Sequence, residues 1–141
     1  MTKEKILVVD DDTELTNQIA LVLNESGKYE ASPVYKADVA IEELKKNKKL
    51  FGGNKIKLIL LDIRMPGMTG LEFLKKLREE IDSEIGVIMI TAFETMDYWV
   101  DSLFIYDATD YIKKPFTNKE LLQKIDNYFA GKGNREQMGN A

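Results

Sequence analysis

Three apolar runs stand out along the chain: Ile6-Leu-Val-Val9, Leu58-Ile-Leu-Leu61 and Val87-Ile-Met-Ile90, with a briefer fourth at Tyr111-Ile112. Bounded by polar, Gly or Pro residues, runs of this length predict buried strands. Between them the apolar positions change to helical spacing. Leu15, Ile19, Val22 and Leu23 predict a helix over residues 13–26, stopped by Gly27. Val39, Ile41 and Leu44 predict a second helix that runs into a basic stretch at 45–49. Leu71, Leu74 and Leu77 predict a third, opened by the capping box Thr69-x-x-Glu72. A fourth is expected at about residues 94–104, and a fifth carries Leu121, Leu122, Ile125 and Phe129 behind a second capping box, Thr117-x-x-Glu120. Residues 29–35 read as one more strand, and Pro33 within it predicts a sheet edge or an early end. Phe51-Gly-Gly-Asn54 reads as a turn.

Strand and helix thus alternate five times. That order predicts an α/β domain: a doubly wound, five-stranded parallel sheet with helices on both faces. Residues 1–130 make the domain. Residues 131–141, with three glycines and little that is apolar, read as a flexible tail or linker.

Composition narrows the chemistry. At 141 residues one domain is expected. There is no cysteine and no histidine. Thiolate nucleophiles, thiolate or imidazole zinc sites and serine–histidine catalysis are therefore excluded. Any metal site must be built from oxygen, which favours Mg²⁺, Mn²⁺ or Ca²⁺. A net charge of −4 is a poor footprint for nucleic acid. No run approaches membrane-span length and no signal peptide is evident, so a cytoplasmic location without membrane contact is expected.

The polar residues just past the apolar runs are the candidates for chemistry. In a parallel sheet the C-terminal strand ends share one edge, where open α/β sheets place their sites. Asp10, Asp11 and Asp12 follow the first run. Adjacent carboxylates repel one another unless a cation or solvent compensates, although acids also suit a helix start. Asp62 ends the central run and should face Asp10 and Asp11. A carboxylate beside a divalent cation can act as a nucleophile toward phosphorus. Thr91 follows Ile90 and offers a hydroxyl donor. Lys114 precedes Pro115, which restricts it to extended geometry and holds it across the site. Tyr111, with Tyr98, Trp99, Phe104 and Tyr106, supplies aromatics for core or partner surface. The lysines at 45–49 read as a solvated helix end.

The segments Ile6-Leu-Val-Val-Asp-Asp-Asp12, Leu60-Leu-Asp-Ile-Arg-Met-Pro-Gly-Met-Thr-Gly70, Met89-Ile-Thr-Ala92 and Asp110-Tyr-Ile-Lys-Lys-Pro-Phe116 together resemble the receiver domain of two-component response regulators. The resemblance covers about residues 4–130. It implies a flavodoxin-like strand order, 2-1-3-4-5. It implies Asp62 as phosphoacceptor from a histidine kinase or phosphotransfer protein. Mg²⁺, or Mn²⁺ in its place, would sit on Asp10, Asp11, Asp62 and the backbone carbonyl of Arg64. Thr91 and Lys114 would read the phosphoryl group, Tyr111 would act as the switch aromatic, and Pro115 is a candidate cis-proline. Arg64 and Phe93, at the mouth of the site, would tune phosphoryl loss, with Phe93 shielding it from water. The fourth helix, fifth strand and fifth helix would meet a downstream protein partner or an output domain, with homodimerisation on phosphorylation as one outcome. The chain departs from the family in Asp107-Ala108, where a Gly-Ala pair is common, and in a longer segment over 45–57.

Two other readings compete. Haloacid-dehalogenase phosphohydrolases place a nucleophile in Asp-x-Asp-x-Thr. Asp10-Asp11-Asp12-Thr13-Glu14 has the two acids but ends in Glu14 and leaves Asp62 without a role. An interaction module that keeps the fold without phosphorylation is the other.

Overall fold

The computed structural model describes residues 2–62, 68–81, 84–92 and 108–139, the side chains of 91 and 132–139 excepted. In chain order the elements are β1 (Glu4–Val9), α1 (Thr13–Glu25), β2 (Tyr29–Val34), α2 (Ala37–Lys46), β3 (Ile56–Asp62), α3 (Gly70–Lys76), β4 (Gly86–Ala92), β5 (Asp110–Lys114) and α4 (Asn118–Gly139). α3 passes into a π-helical turn at Leu77–Ile81. The helix expected at about 94–104 lies outside the described residues.

The strands form one parallel sheet in the order β2-β1-β3-β4-β5, as the resemblance implies. Each interior strand is apolar on both faces, and alternate residues serve two separate cores. Leu7, Val9, Ile59, Leu61, Val87 and Met89 pack with α2 and α3. Ile6, Val8, Leu58, Leu60, Ile88, Ile90 and Ile112 pack with α1 and α4. This two-sided burial is why the strand runs are unbroken rather than alternating.

The helix starts follow their sequence signals. Asp12 caps α1, its carboxylate accepting from Leu15 N at 3.1 Å. Thr69 accepts from Glu72 N at 3.2 Å to open α3, and Thr117 accepts from Glu120 N at 3.1 Å to open α4. In α2 the buried face is Ala37, Ala40, Ile41 and Leu44, while Val39 is exposed. The two alanines complete an i, i+3, i+4, i+7 stripe that the larger residues alone misplace. α4 continues past Gly131 to Gly139, into residues whose composition reads as a tail. Its Lys, Arg, Glu, Gln and Met there are good helix formers, and glycine weakens a helix without forbidding it.

Pro33 lies in the edge strand β2, in register with Val8. Val34 O accepts from Asp10 N at 3.1 Å, so Val34 faces β1 and Pro33 faces outward. Two residues earlier, Ala31 gives its N–H to Asn24 Oδ1 at 2.8 Å and accepts from Asn24 Nδ2 at 3.0 Å.

Candidate functional site

β1 and β3 are neighbours, with Val9 opposite Leu61 in the register. The next residue on each strand is an aspartate, so Asp10 and Asp62 stand side by side at the C-terminal edge. Both are buried. Asp11, one residue further on, is exposed. Carboxylate oxygens of Asp10, Asp11 and Asp62 all lie within 4.8 Å of one another. β5 brings the fourth charge from the far side of β4. Lys114 Nζ is 3.6 Å from Asp10 Oδ2 and 3.4 Å from Asp62 Oδ1. The Lys114–Pro115 peptide bond is cis.

Asp10 is held on one side only. Its Oδ1 accepts from Asp12 N at 3.0 Å. Its Oδ2 is buried and accepts no hydrogen bond among the described residues. Burial pushes the Asp10 carboxyl up to about 6, and the Asp62 charge adds to this; the Asp12 N–H and the Lys114 ammonium act in the opposite direction. One ammonium beside three carboxylates leaves the pocket short of positive charge.

An oxygen-ligated divalent cation fits this arrangement. Hard cations take carboxylate donors at about 2.0–2.6 Å, so donors on opposite sides of one ion lie roughly 4–5 Å apart. The three acids meet that spacing, and the orphaned Asp10 Oδ2 is a buried acceptor in want of a partner. Asp10, Asp11 and Asp62 are the side chains that would hold the ion. The Arg64 carbonyl lies outside the described residues.

Thr91 lies in β4 in register with Lys113, on the same edge as the acids; its side chain is outside the described residues. Tyr111 lies in β5 and is 37% exposed, with Lys124 Nζ of α4 5.3 Å from its ring centroid. Phe93 is outside the described residues, as are Tyr98, Trp99, Phe104 and Tyr106. Sequence reasoning missed Thr16. This buried residue of α1 donates from Oγ1 to the carbonyls of Asp10, at 3.1 Å, and Asp12, at 2.6 Å. It thereby fastens the acidic loop to the helix. The available signal was a threonine on the apolar face of α1, one turn after the cap.

Comparisons with known proteins bear on the family and the fold. Residues 6–126 match the family described as "Response regulator receiver domain". The phosphate regulon transcriptional regulatory protein PhoB of Pseudomonas aeruginosa is 34% identical over 128 residues, covering 89% of this chain and 51% of that protein. The DNA-binding response regulator MtrA of Mycolicibacterium paratuberculosis is 33% identical over 127 residues, covering 87% of this chain and 50% of that one. The chain therefore spans about half the length of these curated relatives. Among solved structures, the CheY-like response regulator receiver domain protein from Methanospirillum hungatei superposes with a TM-score of 0.80 at 26% identity, covering 95% of this chain and 99% of that one. A putative response regulator from Chloroflexus aurantiacus gives 0.77 at 27%, covering 92% and 99%.

Proposed function

The chain belongs to the response regulator receiver domain family of two-component systems, and from that premise we propose that it is an aspartate phosphoacceptor whose state is read by another protein. Asp62 is the acceptor. One of its carboxylate oxygens forms a bond to the phosphorus of a phosphohistidine on a histidine kinase or phosphotransfer protein. The P–N bond breaks, and its electron pair leaves on the imidazole nitrogen.

Each neighbour has a part. Asp10 and Asp11, with Asp62, hold Mg²⁺, or Mn²⁺ in its place. The bound ion supplies charge neutralisation for the acids and for the incoming phosphoryl oxygens. Lys114 already reaches toward both buried aspartates and moves its contact to a phosphoryl oxygen once Asp62 is modified. Thr91 donates its hydroxyl to another phosphoryl oxygen. The added charge, roughly −1.5 to −2, biases the domain only through contacts made differently in the two states. Tyr111 and the surface of β5 and α4 carry that difference to a protein partner or to an output domain in the rest of a longer chain.

The observation that carries this reading is the buried Asp10–Asp62 pair with one lysine between them and one carboxylate oxygen that accepts no hydrogen bond among the described residues. The test is intact-mass analysis after incubation with Mg²⁺ and a small acyl phosphate. One phosphoryl group is expected on the wild type and none on Asp62→Asn. An adduct that persists in Asp62→Asn and disappears in Asp10→Asn would favour the phosphohydrolase-like alternative instead.

A further inference from the structure

The loop between α2 and β3 has a form its composition does not announce. Lys48 and Asn54 make an antiparallel bridge. Lys49 N donates to Gly53 O at 3.0 Å and Lys55 N to Asn47 O at 2.9 Å. Gly52 and Gly53 close the turn at φ 99° and 76°, where a side chain would be strained. The base is anchored by the buried Asn54, which donates from Nδ2 to Leu44 O at 2.8 Å and accepts from Ile56 N at 2.9 Å. A short, well-braced hairpin results.

Its apex is apolar and bare. Leu50 is 89% exposed and Phe51 is 96% exposed. Scattered exposed apolar residues are ordinary, but an adjacent Leu-Phe pair at the tip of a braced turn is a poor use of water-facing surface. Lys45, Lys46, Lys48, Lys49 and Lys55, all exposed, flank it in sequence, and no acid occurs from 45 to 57; Lys46 Nζ also lies 3.8 Å from Glu43 Oε1, an exposed pair that a headgroup phosphate can replace. In a chain of net charge −4 this is a local reversal of sign.

We propose that this hairpin docks the domain on an anionic lipid surface, with Leu50 and Phe51 entering the headgroup–acyl boundary and the five lysines meeting the phosphates. An apolar tip plus a polybasic collar is the pairing such surfaces select, and lysine stems let the ammonium groups reach headgroups while the tip sinks. A protein partner fits less well, because two side chains fall far short of the about 1,000 Å² that a specific interface needs. Single-stranded nucleic acid fits less well too, because Leu50 has no π face on which a base could stack. The expectation of no membrane contact rests on the lack of a spanning run and of a signal peptide. No helix among the described residues is long and apolar enough to cross a membrane, and surface docking requires none.

The placement gives the docking a direction. The hairpin feeds into Ile56, the first residue of β3, and Asp62 is the last. The two ends of that strand are about 20 Å apart. A domain resting on its hairpin keeps the acidic edge pointed away from the bilayer and open to a phosphoryl donor.

The experiment is vesicle co-sedimentation of the full chain on phosphatidylcholine alone and on phosphatidylcholine containing phosphatidylglycerol. Binding is expected only with the anionic lipid and should weaken as salt rises. Leu50→Ser with Phe51→Ser should weaken it by roughly tenfold or more. Lys48→Gln with Lys49→Gln should weaken it by about 25-fold, about fivefold per lysine. Because the chain has no cysteine, an environment-sensitive dye on Phe51→Cys reports depth. It should shift to the blue and be quenched by a lipid-borne quencher, whereas a dye on Asp38→Cys should do neither. No binding to anionic vesicles, binding indifferent to Leu50 and Phe51, a shift at position 38 in place of 51, or tighter binding to single-stranded DNA than to vesicles would each overturn the proposal.

Discussion

Asp10 and Asp126 are two carboxylates of one small domain that the fold treats in opposite ways. Asp126, on α4, is 38% exposed in its side chain. Its burial, slight as it is, would raise its carboxyl, but hydrogen bonds from Tyr29 and Lys28 outweigh this and hold it below the usual range. Lys28 Nζ donates at 2.9 Å. Asp10 is 1% exposed, has one oxygen without a hydrogen bond among the described residues, and is pushed up to about 6 by burial above all. The first carboxylate is satisfied by the protein itself. The second is left wanting, at a cost in stability, beside a second buried acid. Among the described residues the hydrogen bonds of one acid are complete and those of the other are not, and it is on this difference that the proposed cation site rests.

Three measurements break or sharpen that contrast. The largest effect is expected from Asp10→Asn. Mg²⁺ affinity, followed by titration calorimetry, should fall by about 100-fold or more, since a ligand and not merely its support is removed. Metal-free stability in urea should rise by about 1–3 kcal/mol, because a buried charge is gone while the amide oxygen still accepts from Asp12 N. A loss of metal-free stability would mean that Asp10 is part of the protein's own framework.

The second concerns pH. Asp10 has a folded value raised above its unfolded one, so its contribution to metal-free stability is complete below about pH 4 and is lost as pH rises through about 6. Metal binding needs the deprotonated acid. Stabilisation by Mg²⁺ should therefore run the other way, absent at low pH and growing as pH passes about 6. Thermal melts with and without Mg²⁺ between pH 4 and 8 should converge at the acid end. In Asp10→Asn the gap between the two curves should be small throughout.

The smallest effect is expected at the other carboxylate. Tyr29→Phe keeps the ring stacked on Phe129, 5.4 Å between centroids, and deletes the hydroxyl that serves Asp126. A loss of at most about 1 kcal/mol is expected, since Asp126 is more than a third exposed and solvent replaces part of the bond. Asp126, followed by carboxyl NMR, should titrate closer to the ordinary value. The wild-type Asp126 contribution is present above that value and fades as pH falls through its depressed one. Mg²⁺ affinity should not change.

The same contrast shows what could be read from residues alone. Asp10, Asp62 and Lys114 are visible in the sequence because each follows a run of buried strand, and parallel strands end together. The edge position of β2 is visible in Pro33. The partners of Asp126 are not visible: Tyr29 lies 97 residues away, and no local pattern joins the two. Thr16 is hidden among the apolar residues of α1, although it fastens the acidic loop. The inner face of α2 depends on Ala37 and Ala40, which hydrophobic periodicity weights lightly. The braced hairpin at 47–55 escapes because its order comes from backbone bonds and Asn54, while its composition reads only as lysine, glycine and a turn.

The outer side of β2 bears on how copies of this chain can meet. A free strand edge is a template on which another chain can add, and that route leads to fibres as readily as to dimers. Here the template is spoiled at two consecutive outward positions. Pro33 offers no donor, and the carboxamide of Asn24 occupies both backbone groups of Ala31 as one residue of an added strand would. The sheet is closed to recruitment along this border, so association between copies on this side of the molecule must be written in side chains rather than in added strands.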